Sequence, residues 1–176
     1  MEFDKTAWER CAAFHGHTCA GLAIGYQAAR CAAQLLGLAF SEDEEVVCVS
    51  ENDACGVDAV QVLLGCSAGK GNLLFRIRGK QAFSFYDRKT GGSVRLVLKP
   101  APEDIPREKT MDYYLSQEPK ELFDVKPARP LPQPAKIFRS YRCGRCGETA
   151  AENWIRLVDG EYRCLDCVET YDRFNV

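Results

Sequence analysis

The chain has 176 residues, 46% hydrophobic and 27% charged, a balance that excludes a fibrous or largely disordered protein. Its 23 Lys and Arg against 25 Asp and Glu leave a formal charge of −2, so no overall basic field draws in nucleic acid. No apolar run approaches the roughly 18–20 residues of a bilayer span, and Met1-Glu2-Phe3-Asp4-Lys5 does not open a secretory signal. A cytoplasmic location without membrane attachment is expected, and there the ten cysteines serve as metal ligands, reactive thiols or core residues rather than disulfides.

In chain order, Asp4 caps a short helix whose Trp8, Cys11 and Ala12 share a face, and Gly21 to Leu36 forms a longer Ala-rich helix stopped by Gly37. Glu45 to Ser50 is β-rich and reads as a strand, and Val57 to Leu64 as a short helix ended by Gly65. Three strands are predicted over Leu73–Arg78, Gln81–Tyr86 and Ser93–Lys99, followed by a helix over Arg107–Ser116. Helices ahead of strands, without the regular βαβ alternation of a parallel sheet, predict an α+β layer.

Four of the eight prolines lie between Pro127 and Pro134, where missing amide donors and fixed φ angles make a stiff linker. Three segments are therefore expected: a core domain over 1–125, a linker over 126–135 and a small domain over 136–176. The last, about 40 residues long, is near the size below which chains need a metal or disulfides to fold.

That need is met by Cys143-Gly144-Arg145-Cys146 and Cys164-Leu165-Asp166-Cys167. Seventeen residues separate the two pairs, a spacing that lets two thiolate knuckles close one tetrahedral shell. Structural zinc on Cys143, Cys146, Cys164 and Cys167 is the expectation, with a helix over Glu169–Phe174 completing an arrangement like a treble clef or zinc ribbon. A redox pair or iron is the competing use of such cysteines. DNA binding is not expected, because the residues after 135 carry seven basic and seven acidic side chains, and the segment reads as a protein-docking or domain-packing module.

Both histidines of the chain fall in Phe14-His15-Gly16-His17-Thr18-Cys19-Ala20, just ahead of the long helix. Alternating residues of an extended segment share a side, so His15, His17 and Cys19 point to one metal, and free amides at the helix start favour a thiolate. Cys55, in Asp53-Ala54-Cys55-Gly56-Val57-Asp58, occupies a similar junction from strand to helix. Two imidazoles and two thiolates, or fewer plus water, match zinc or another borderline-soft divalent ion with room for a substrate. The competing use is a histidine that orders a turn beside a buried cysteine. Cys11, Cys31 and Cys48 read as core.

Gly65-Cys66-Ser67-Ala68-Gly69-Lys70-Gly71-Asn72 is not a Walker loop: three residues separate its first two glycines, Gly71 follows Lys70, and a helix precedes it. Glycine-rich backbone beside a lysine nonetheless makes Lys70 and Cys66 secondary cofactor-binding candidates, together with Asp58.

Three motifs together, Phe14-His15-Gly16-His17-Thr18-Cys19-Ala20-Gly21-Leu22, Cys55-Gly56-Val57-Asp58-Ala59-Val60-Gln61 and Gly65 to Leu73, resemble the FmdE family, named for one of the subunits of formylmethanofuran dehydrogenase. The tail resembles the zinc finger that some members carry, and Ala20 departs from the proline expected there in many relatives. The resemblance implies an α+β core with helices packed on an antiparallel sheet, and a tight homodimer with a cleft lined by the His-x-Cys segment and the second-motif cysteine, with His17, Cys19 and Cys55 as metal and catalytic residues and His15 as a nearby partner. It also implies an accessory subunit of a molybdenum- or tungsten-dependent formylmethanofuran or formate-type dehydrogenase, not the catalytic one. The alternative is a free-standing metalloenzyme, in which Asp58, Lys70 or His15 moves protons beside the bound metal.

Overall fold

A computed structural model describes residues 4–169 of the chain. They divide into two compact units, parted between Ala135 and Lys136. The first contains helices α1 (Lys5–His15), α2 (Ala20–Leu36), α3 (Gly56–Leu64), α4 (Thr110–Ser116) and α5 (Pro119–Leu122), with strands β1 (Val46–Ser50), β2 (Leu73–Phe75), β3 (Ala82–Asp87), β4 (Ser93–Leu98) and β5 (Phe123–Lys126).

Helix boundaries follow the local signals. The Asp4 carboxylate accepts the Ala7 amide at the start of α1, and Gly16, Gly37 and Gly65 close α1, α2 and α3 in the left-handed region. The sheet runs β2-β1-β3-β4-β5. All its pairs are antiparallel except β1 with β2, which run parallel in the register Cys48 opposite Leu73. The expected antiparallel sheet thus acquires one parallel edge, because β1 and β2 are joined through α3 and such a crossover returns the chain in the same direction. The strand expected over Leu73–Arg78 ends at Phe75. Helix α5 and strand β5 are elements that the sequence pattern does not announce, each being only four residues long.

Val46, Cys48, Phe83, Phe85, Val94 and Leu96 alternate along their strands and share a core with Leu22, Tyr26, Ala29, Cys31 and Val60 from the helices. On the opposite side Val47, Ser84 and Tyr86 are also buried. The proline-rich stretch passes there: Pro130 lies beside Tyr86 and Ser84, and Arg88 Nη1 donates to the Pro132 carbonyl at 2.9 Å. The Ala135 amide donates to the Glu44 carboxylate at 3.1 Å. The segment therefore packs as part of the first unit, and Lys126 is in a strand.

Glu51 is buried at the sheet and receives a two-point hydrogen bond from Arg95, Nε to Oε1 at 2.7 Å and Nη2 to Oε2 at 2.9 Å. The guanidinium holds the Glu51 carboxyl below its ordinary range. The amide of Asp43 and the hydroxyl of Ser41 help hold Glu45 down to about 2. Both groups bind protons less readily folded than unfolded, so the stability they contribute is complete above roughly pH 4.3 and drains away as pH falls through the folded values. Acid titration of Glu51→Gln should show a flatter stability profile below that pH. At neutral pH the variant should lose roughly 3 kcal/mol, because Arg95 keeps its charge in a half-buried site without its carboxylate. Urea melts between pH 3 and 7 measure both, and parallel profiles for variant and parent would refute the assignment.

The second unit is built from two hairpins, β6 (Ser140–Arg142) with β7 (Thr149–Ala151) and β8 (Ile155–Val158) with β9 (Glu161–Cys164). Asp159 and Gly160, both at positive φ, make the tight turn between β8 and β9. Its small core is Cys143, Cys164 and Cys167 with Ala150 and Ile155 packed against them. The helix expected over Glu169–Phe174 falls, apart from Glu169, outside the described residues; Glu169 itself is not helical.

Candidate metal centres

In the second unit the sulfurs of Cys143, Cys146, Cys164 and Cys167 all lie within 4.8 Å of one another, with Cys146 and Cys164 at 3.8 Å. Cys143 and Cys146 occupy the turn between β6 and β7, where the Gly147 amide donates back to the Cys143 carbonyl at 2.9 Å. Cys164 ends β9 and Cys167 closes the short turn after it. Backbone amides of the knuckles, led by that of Cys146, bring the Cys143 thiol down to about 6. Burial and the neighbouring thiols push Cys167 up to about 12. Four sulfurs this close repel as anions unless a cation joins them, so the donor set fits a metal ion.

The first unit brings together a second group by a different route from the one expected. His15 is not in an extended segment. It is the last residue of α1, Gly16 turns the chain at φ 89°, and Cys19 is the N-cap of α2, its sulfur accepting the Leu22 amide at 3.3 Å. The ligating atoms of His15, His17 and Cys19 lie within 4.8 Å of one another, and the two imidazoles are 4.4 Å apart between centroids. His15 Nε2 is 3.9 Å from Cys19 Sγ.

The His15 ring is fixed from its other side. Asp58 Oδ2 is 2.7 Å from Nδ1 and, being acceptor only, requires the proton on that nitrogen; Asp58 is itself held by Gln61 Nε2 at 3.0 Å. The lone pair of Nε2 is thereby left facing the cluster. A carboxylate behind a histidine is the usual outer partner of a metal-bound imidazole. Asp58, a proton-carrier and cofactor-contact candidate from the sequence, is placed directly behind His15 and orients it. No local pattern signals this pairing, which joins residues 43 positions apart.

Cys55 ends the loop before α3 and faces Cys19, its thiol raised by burial and by the hydrogen bond and charge of Cys19. Their approach comes from glycines. A Cβ on Gly25 would fall inside the van der Waals envelope of the Gly56 backbone, and one on Gly56 would lie 2.9 Å from the Gly21 carbonyl oxygen. With no side chains between them, α2 and α3 cross closely enough to set their N-terminal cysteines side by side.

Beside this group lies a cleft of about 370 Å³ lined by His15, Asp53, Cys55, Asp58, Gln61 and Phe75. Cys66 and Lys70 do not reach the cluster. Cys66 is fully buried, its thiol directed at the Val46 carbonyl and pushed up to about 12 by burial. Lys70 Nζ donates to the Ser41 carbonyl at 2.6 Å. Asn72 completes the loop, donating to Val46 and Asp43 and accepting the Ser67 amide at 2.8 Å. The glycine-rich loop is thus held by hydrogen bonds to neighbouring carbonyls, apart from the group around His15.

Among the described residues no helix is long and apolar enough to cross a membrane. The family described as "FmdE, Molybdenum formylmethanofuran dehydrogenase operon" matches residues 14–131. The chain is 29% identical to a probable S-adenosyl-L-methionine-binding protein of Archaeoglobus fulgidus, over 90% of this chain and 51% of that protein, so it spans about half the length of this curated relative. It is also similar to the crystal structure of a tungsten formylmethanofuran dehydrogenase FmdE-like protein from Syntrophus aciditrophicus, with 26% identity, a TM-score of 0.68, and coverage of 90% of this chain and 88% of that one.

Proposed function

Because the chain belongs to the FmdE family, we propose that it is a metal-binding accessory subunit, or a metal-handling partner, of a molybdenum- or tungsten-dependent formylmethanofuran or formate-type dehydrogenase. The observation that carries the reading is the convergence of His15, His17 and Cys19 with Asp58 behind His15. Zinc suits both groups: four thiolates form a closed structural shell in the second unit, while two imidazoles and the Cys19 thiolate, with Cys55 adjacent, form an incomplete one in the first. When bound there, the ion supplies Lewis acidity at a position open to the cleft. His15 presents Nε2, Asp58 holds the tautomer, and the Leu22 amide supports the sulfur charge. In this proposal the chain works in the cytoplasm as a homodimer.

The cleft beside His15 and Cys55 favours a second reading, a free-standing metalloenzyme acting on a small molecule. S-adenosyl-L-methionine, named for the archaeal relative, is the first compound to titrate. Co-purification of a dehydrogenase with the tagged chain supports the accessory role; saturable small-molecule binding without such a partner supports the second.

Elemental analysis of the full chain is expected to give about two zinc ions, and about one in Cys19→Ser or His15→Ala, with the second-unit ion retained. Asp58→Asn should keep both ions at saturation but weaken the first site by roughly 10- to 100-fold. An unchanged metal content in Cys19→Ser would remove the first site from the proposal.

A further inference from the structure

Of the ten cysteines, Cys11, Cys31, Cys48 and Cys66 are fully buried, and four form the second-unit group. Only Cys19 and Cys55 combine partial exposure with proximity to another sulfur inside the first unit. A Cβ placed on Gly21 would lie 3.5 Å from Cys55 Sγ and 3.8 Å from Cys19 Sγ, so the two sulfurs flank a position where no side chain intervenes. Each cysteine stands at the N-cap of its helix, Cys19 with an extended backbone and Cys55 with a helical one.

From this juxtaposition we infer that Cys19 and Cys55 form a reversible disulfide under peroxide, and that the bond expels the ion from the first-unit site. Cys19, whose sulfur accepts a backbone amide at a helix start, attacks one peroxide oxygen as thiolate; the O–O bond breaks, leaving a sulfenic acid and a hydroxide that takes up a proton as water. The Cys55 sulfur then attacks the sulfenic sulfur, the S–O bond breaks, and the departing hydroxide takes the Cys55 proton. Two thiols lose two electrons in all, and one peroxide becomes two waters. A dithiol reductant returns both thiols by exchange. The disulfide removes one thiolate from a shell that has His15 and His17 as its remaining donors, and neutral imidazoles alone hold the ion less well. The metal-release step rests on the function proposed above, whereas the cross-link does not.

The test treats the full zinc-loaded chain with one equivalent of hydrogen peroxide, maps disulfides by mass spectrometry of the digested protein, and follows released zinc with a chromogenic chelator. The expected result is a Cys19–Cys55 cross-link, release of about one ion per chain, and recovery of both thiols and ion after dithiothreitol and zinc. Cys55→Ser should lose the cross-link and instead accumulate sulfenic or sulfinic acid on Cys19, while circular dichroism checks that it stays folded. The inference is overturned if parent and Cys55→Ser give the same oxidation products, or if the cross-link joins other cysteines. A Cys19–Cys55 cross-link without release upholds the disulfide and instead counts against Cys19 as a ligand.

Discussion

Gly25→Ala is expected to destabilise the first unit by about 3 kcal/mol or more, and to lower its melting temperature by roughly 10 °C. The added methyl would meet the backbone oxygen and Cα of Gly56 and not the end of a pliable side chain. Rotamer changes cannot relieve a contact between two backbones, so α2 and α3 must separate. Their separation draws Cys19 away from Cys55 and Asp58 away from His15, and the first-unit metal should leave before the fold melts. Gly69→Ala is the control, since nothing lies within 4 Å of a Cβ there, and it should stay within about 0.5 kcal/mol of the parent. Thermal melts together with metal content decide the matter. A Gly25→Ala protein that melts with the parent would mean that the close crossing does not hold the site.

Metal removal should have the second large effect, and it should be confined to residues 136–169. The core there is three cysteines with Ala150 and Ile155, while Trp154, Leu157 and Tyr162 are exposed. So little apolar burial cannot offset the ordering of residues 136–169. Structural zinc in small domains supplies on the order of 10–16 kcal/mol, nearly all of it folding energy. A strong chelator should therefore collapse the dispersed amide resonances of the second unit, while those of the first unit, with its extensive core, persist. Re-addition of zinc should restore them. Second-unit resonances that survive complete chelation would show that its hairpins stand without an ion. The same unfolding should occur as pH falls, since protons compete with the metal for the thiolates.

The second-unit site is legible in the sequence because its chemistry is local. A Cys-x-x-Cys pair brings its two sulfurs together within one short turn, and the spacing between the pairs leaves room for a hairpin. Element positions in the first unit are legible for a similar reason: Asp4, Gly37 and Gly65 act on the turn in which they sit. The first-unit site is half legible. His15, His17 and Cys19 are recognisable as neighbours in sequence, but their alternation suggests an extended strand where a helix ends, turns at Gly16 and restarts. That changes which histidine is held firmly: His15 is backed by Asp58, while His17 is exposed.

Composition misleads where contacts decide. Three glycines and Lys70 resemble an anion loop, yet Lys70 donates to the Ser41 carbonyl, and Asn72 takes the Ser67 amide and ties the loop to the Asp43 and Val46 carbonyls. Prolines 127–134 read as a stiff linker between domains, and the Pro132 carbonyl and the Ala135 amide bond this stretch to Arg88 and Glu44 of the first unit. Strand β5 is hidden because it is only four residues long, too short for its Phe-Asp-Val-Lys alternation to register as a period.

By itself the sequence determined the α+β class, the capped helices, the four-cysteine knuckles, and the two cysteine-bearing junctions ahead of α2 and α3, since caps, hydrophobic periods and ligand spacings act over one or two turns of chain. Only the tertiary structure decided that Asp58 orients His15, that Cys19 faces Cys55, that Cys66 is sealed in the core, and that β2 pairs parallel with β1. The pairing of the two cysteines depends on how closely α2 and α3 approach. That distance is set by the missing side chains of Gly21, Gly25 and Gly56, and their meaning appears only when two distant backbones meet.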